Sequence, residues 1–275
     1  ALMIISLFVM VSSLGLNDGL VRYLAFYRGK KDYNRIRYLF KNSFLILCIS
    51  SVVTGIILFL LSKSIAENIF HDEKLIFFLK VLSLSIPFSV LSSAFLSALQ
   101  AFEKINWNSF LNNIFSNGFK LILLILFILI GMKSNAVVLS YFIATLAMFA
   151  FSYGVSRYAL PKLFGKYLLD ESKRKSLKRD IFAYSWPIIF LGAVYTLFNW
   201  TDSFVIGYFM DAKSVGFYNA AFILVALFGI MPQIFEKLFF PLIVREYSKK
   251  NLDIIKELSK QVSKWILILN LPIFL

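Results

Sequence analysis

The residue best placed to do chemistry in this chain is a lysine inside an otherwise uncharged, largely apolar stretch. Residues 108–132 open with Ser109, Asn112, Asn113, Ser116, Asn117 and Lys120, and then run wholly apolar from 121 to 130. The spacing i, i+3, i+4, i+7, i+8, i+11 puts all six on one face of a helix. A lysine near the middle of a bilayer costs about 2.5–3.5 kcal/mol on insertion scales. Such a face must therefore meet water or a polar partner. Two readings follow: a hydrophilic cavity open to the cytoplasm, where Lys120 attracts an anion such as pyrophosphate, or a hydrogen-bonded seam between helices, with Lys120 paired to a carboxylate.

Other apolar stretches carry weaker signals. Residues 183–209 present Gly192, Tyr195, Thr196, Asn199, Asp202 and Ser203 on a second face. Asp202 either holds a coupling proton or cation or makes a structural bond, since a lone carboxylate there is costly. Gln233, Glu236 and Lys237 follow Pro232; Glu236 and Lys237, adjacent on a helix, diverge by about 100° and pair poorly with each other. Asp18 and Arg22 are four apart and can pair. Ser85, Ser89, Ser92, Ser93 and Gln100 read as a close-packing side, and Pro87 and Pro187 as starts or kinks of helices.

Enzyme signals are few. His71, Asp72 and Glu73 are contiguous and the chain has no second histidine, so no metal site is expected. Neither a G-x-x-x-x-G-K-[ST] phosphate loop nor a G-x-S-x-G elbow occurs. The reading is a protein without catalytic residues, metal or cofactor.

These residues must be positioned by membrane-spanning helices. Of the 275 residues, 59% are hydrophobic, and they gather into runs near the 20 residues that cross a ~30 Å hydrocarbon core. Backbone groups in lipid require helices or closed barrels, and the period-2 alternation of a barrel is absent. Spans are expected at 1–20, 42–62, 76–100, 108–132, 135–158, 183–209, 216–243 and 261–275: about seven near-complete spans and a truncated eighth. Both ends fall inside apolar runs and are read as truncations. The single cysteine, Cys48, excludes a disulfide framework.

The net charge of +14 is distributed by topology. Arg22, Arg28, Lys30, Lys31, Arg35, Arg37 and Lys41 crowd the first connection. Arg157, Lys162, Lys166, Lys173, Arg174, Lys175, Lys178 and Arg179 crowd that near 157–180, and six lysines or arginines that at 244–264. The connections near 68, 133 and 212 are sparse. Positive loops face the cytoplasm, so the charge marks orientation in a cell membrane and no nucleic-acid partner is expected. Lys30, Lys31, Ile36, Arg37, Leu39 and Lys41 also echo Lys249, Lys250, Ile255, Lys256, Leu258 and Lys260 at an offset of 219, as in a parallel repeat.

Two segments carry a family resemblance. LGLNDGLVRYLAFYRGKKDYNRIRYLF at 14–40 resembles the end of the second helix and the following loop of polysaccharide-export flippases, a branch of the superfamily that includes multidrug and toxin extrusion transporters and lipid II flippases. YSWPIIFLGAVYTLFNWTDSFVIGYFMDAKSVGFYNAAF at 184–222, with Pro187, Asp202, Gly207, Val215, Gly216, Tyr218 and Asn219, resembles the start of that family's second half. The resemblance implies an all-α, polytopic transmembrane bundle, a fragment of a two-lobe transporter. Residues 1–158 would be family helices 2–6 of the N-terminal lobe, 159–182 a cytoplasmic inter-lobe linker, and 183–275 helices 7–9 of the C-terminal lobe. It implies alternating access around a central cavity and a polyprenyl-pyrophosphate-linked oligosaccharide as substrate, moved outward for surface polysaccharide synthesis. Implied partners are membrane lipids, a coupling proton or cation, and a polysaccharide polymerase and glycosyltransferases. Asp202 falls at a recurrent family position. The alternative is a cation-coupled multidrug exporter of the same superfamily, which should carry acidic residues deep in its cavity; a membrane glycosyltransferase or a structural membrane protein ranks below both.

Overall fold

The computed structural model describes residues 2–132, 135–211, 213–225, 228, 229, 232 and 252–274. All regular structure among them is helical: α1 Leu2–Ser13, α2 Leu16–Gly29, α3 Tyr33–Ser64, α4 Lys74–Ser83, α5 Ile86–Ala101, α6 Ile105–Ser109, α7 Ser116–Leu129, α8 Asn135–Ala159, α9 Glu171–Phe209, α10 Lys213–Val225 and α11 Leu252–Phe274. Four helices among the described residues are long and apolar enough to cross a membrane, or six when the bent pairs α1–α2 and α4–α5 each count as one span. The expected polytopic helical bundle is what forms. The expected span at 216–243 falls largely outside the described residues, as do Gln233, Glu236 and Lys237. The chain divides into two compact units, residues 1–202 and 203–275.

Helix α3 shows why the first unit holds together in lipid. Its buried stripe is Ser43, Leu47, Ser51, Gly55, Leu58 and Ser62, while Leu45, Ile49, Ile56 and Leu60 on other faces are exposed. In water that arrangement would be inverted. In hydrocarbon, apolar side chains cost nothing outside, and small residues inside let backbones approach. The hydroxyls of Ser51 and Ser62 donate to Cys48 and Phe59 carbonyls one turn back, so burying them leaves no donor unmade. Asp32 starts the helix by accepting from the Arg35 N–H at 3.1 Å.

Two spans are broken. Between α1 and α2, Leu14 and Gly15 adopt φ of 49° and 63°, and the axis bends by 41°. Between α4 and α5 the bend is 42°, and Pro87 sits in the first turn of α5, where its missing N–H costs nothing. Pro187, in contrast, lies inside α9. Gly55 of α3 fits against the second break: a Cβ there would stand 3.1 Å from the Ser83 carbonyl.

Connections read as lying on one side of the membrane meet directly. Arg28 at the end of α2 donates to the Ala101 carbonyl at 3.1 Å and pairs with Glu103 beyond α5. Arg37 in α3 donates to the carbonyls of Lys162 and Lys166 beyond α8, each at 3.0 Å. Tyr23 and Tyr38 donate to the Asp180 and Arg174 carbonyls. At the other end Asp72 and Asn135 line a common hollow. Residues 171–182, expected as connection, are already helical: α9 begins at Glu171, and those tyrosines hold its polar first turns.

A candidate substrate cavity between two broken helices

A cavity of about 490 Å³ opens in the first unit where the two broken spans face each other. Ser13 and Asn17 flank the α1–α2 break, Ser89 and Ser93 lie in the first turns after the α4–α5 break, Tyr141 of α8 and Trp200 of α9 add aromatic faces, and Ile5, Val9 and Met10 of α1 make much of the wall apolar. Irregular backbone at membrane depth is tolerated where it lines a cavity. At the break, α2 begins without a side-chain cap, so its orphan N–H groups give that end a partial positive charge.

The amide of Asn17 donates to Ser93 Oγ at 2.9 Å, and Ser93 Oγ donates to the Val90 carbonyl at 2.7 Å. The Asn17 carbonyl oxygen, Oδ1, is buried with no hydrogen-bond partner among the described residues. An unsatisfied buried acceptor beside a cavity calls for water or a ligand donor. The four serines read as a close-packing side divide: Ser85 and Ser92 are buried, as close packing requires, while Ser89 and Ser93 face the cavity.

Lys120 does not itself line the cavity but stands against one of its lining rings. Its ammonium lies 5.2 Å from the ring centroid of Tyr141, the same ring that lines the cavity. Among the described residues no carboxylate pairs with it. A cation–π contact returns about 0.5–2 kcal/mol, short of the insertion cost of about 2.5–3.5 kcal/mol. Water or an anion must supply the difference.

The rest of that polar series lies elsewhere. Ser109, Asn112, Asn113 and Asn117 are exposed and Ser116 half-buried, and none of them lines the cavity. A π-helical turn at Phe110–Phe115 interrupts the helix that the spacing implied. It winds more residues into each turn and re-aims the side chains that follow. Asn199 bonds back to the Tyr195 carbonyl at 2.7 Å, and Asp202 is exposed on α9. Asp18 and Arg22 do not form the expected pair. Arg22 instead stacks over Tyr184 at 4.2 Å, where a guanidinium gains an aromatic face that a solvated carboxylate does not match.

Asn17 was not anticipated, nor was the role of Gly15 and Gly19. These glycines form a G-x-x-x-G step against α9: a Cβ on Gly15 would collide with the Ser185 carbonyl, and one on Gly19 with the Ser185 hydroxyl. That spacing is visible in the sequence and is a known signature of close helix approach.

Broken spans around a cavity, with apolar side chains turned outward, define a multi-pass helical membrane protein. The family model described as "Polysaccharide biosynthesis protein" matches residues 1–268, and the chain belongs to that family. No curated protein and no solved structure matched the chain.

Proposed function

We propose that this chain belongs to a flippase that moves polyprenyl-pyrophosphate-linked oligosaccharides outward across the cell membrane by alternating access. The observation that carries the reading is Lys120, a cation without a carboxylate partner among the described residues, 5.2 Å from the ring of Tyr141, which lines the cavity between two broken spans. Pyrophosphate supplies the missing anion. The cavity's hydroxyls, the free acceptor of Asn17 and the Trp200 ring suit sugars, which offer hydroxyl donors and apolar C–H faces. Among the described residues no carboxylate lines this cavity, which speaks against a drug exporter selecting organic cations and against paired-carboxylate glycosyl chemistry.

In this reading the basic connections face the cytoplasm, residues 1–158 and 183–275 belong to two lobes joined through 159–182, and Asp202 takes the coupling proton or cation. Polymerase and glycosyltransferases act on the same glycan before and after it crosses. The test is transport by the full-length protein in proteoliposomes. A pyrophosphate-linked oligosaccharide should become accessible to an impermeant lectin on the far side, and a cationic dye should not be accumulated. Dye transport without glycan transport would replace this reading with the drug-exporter one.

A further inference from the structure

A second cavity, of about 530 Å³, lies at the basic end of the first unit, away from the breaks. Its floor is a continuous aromatic cluster. Phe40 and Phe44 of α3 pack on Phe95 of α5 with centroids 5.7 and 5.3 Å away, and Phe95 reaches Phe149 and Tyr153 of α8 at 6.1 and 5.7 Å. Arg37, Lys41 and Arg157 also line it. They come from the ends of two helices, α3 and α8, more than a hundred residues apart in sequence.

Among the described residues none of the three pairs with a carboxylate. Arg37 is spent on backbone carbonyls of 161–166, which hold the rim closed but leave its charge intact. Lys41 and Arg157 are exposed and rest near the rings of Tyr167 and Phe164, at 5.9 and 5.0 Å. Cations over an apolar aromatic floor, at the level where the spans leave hydrocarbon, match a molecule with an anionic head and an apolar tail. A volume of about 530 Å³ holds a headgroup and the first methylenes of its chains, within the ~300–1,000 Å³ range of small-molecule sites.

We propose that this cleft binds an anionic glycerophospholipid of the adjoining leaflet, its phosphodiester held by Lys41 and Arg157 and its acyl chains entering over Phe44, Phe95 and Phe149. Basic pockets between membrane helices commonly hold such headgroups. The site is separate from the transport cavity, so its test is a binding measurement that does not depend on transport.

The purified full-length protein is titrated with phosphatidylglycerol and with phosphatidylcholine, and bound lipid is followed by native mass spectrometry. Phosphatidylglycerol should bind more tightly. Lys41→Gln and Arg157→Gln should each weaken it about fivefold, the effect of one basic residue near an anionic headgroup, and Arg157→Lys should retain it. Both charges are exposed, so melting temperature should not move. Equal binding of the two lipids, or phosphatidylglycerol binding indifferent to both glutamine variants, overturns the proposal. So does a polyprenyl phosphate that displaces phosphatidylglycerol and shows the same sensitivity to the variants, since the occupant would then be the carrier lipid.

Discussion

Lys120→Ala lowers glycan export roughly ten- to hundredfold, the effect of losing one charge-assisted contact of about 1.5–3 kcal/mol, while the protein still inserts. The reasoning starts from cost. The lysine is paid for neither by a carboxylate among the described residues nor fully by the Tyr141 ring 5.2 Å away, so alanine should ease insertion. A structural role would predict the reverse. Lys120→Arg keeps the charge and should retain much of the export, whereas Lys120→Met keeps the apolar stem alone and should behave as alanine does. Export by the alanine variant equal to wild type would remove Lys120 from the substrate path.

Gly15→Ala should destabilise the protein by at least about 2 kcal/mol, because a non-glycine residue in the left-handed region costs about 1–2 kcal/mol before any collision. Here the collision is with backbone: the Ser185 carbonyl of α9 occupies the place of the new methyl group, and a carbonyl cannot rotate away as a side chain would. The break between α1 and α2 and the α9 wall of the cavity should loosen together. Gly118→Ala is the matched control, since nothing lies within 4 Å of a Cβ there and alanine in a helix is favoured by roughly 0.5–1 kcal/mol. Thermal unfolding in detergent should show a large drop for the first and none for the second. Equal melting of Gly15→Ala and wild type would contradict the α2–α9 approach.

The spans were legible because a bilayer demands about 20 apolar residues per crossing, and runs such as 42–62 and 135–158 meet that demand locally. That the segments around the first and the 157–180 basic connections meet at one end was also legible, from charge, and Arg37 donates there to the Lys162 and Lys166 carbonyls. The breaks were not. That between α4 and α5 depends on the niche Gly55 leaves for Ser83, a contact 28 residues distant in sequence.

Beside the candidate cavity, what the sequence singled out was a charge behind the Tyr141 ring. Lys120 stood out because charge in hydrocarbon is costly, whereas its neighbours 109–117 were placed by a 3.6-residue period that the π-helical turn at Phe110–Phe115 breaks. Ser89, Ser93 and Asn17 converge from separate spans, and hydroxyls that look alike along α5 divide into buried and cavity-facing only when helices pack around them. The basic residues Arg37, Lys41 and Arg157 were read as orientation signals. Their convergence on one aromatic cleft is a tertiary fact.

The most direct test of a wet, anion-seeking cavity is substrate protection of a thiol at Ser93→Cys in a Cys48→Ala background, leaving one cysteine in the chain. The account predicts labelling by a water-soluble maleimide and its suppression by a pyrophosphate-linked oligosaccharide, with a cationic drug having no effect. A thiol that never labels, or one shielded by the drug and indifferent to the glycan, would contradict it.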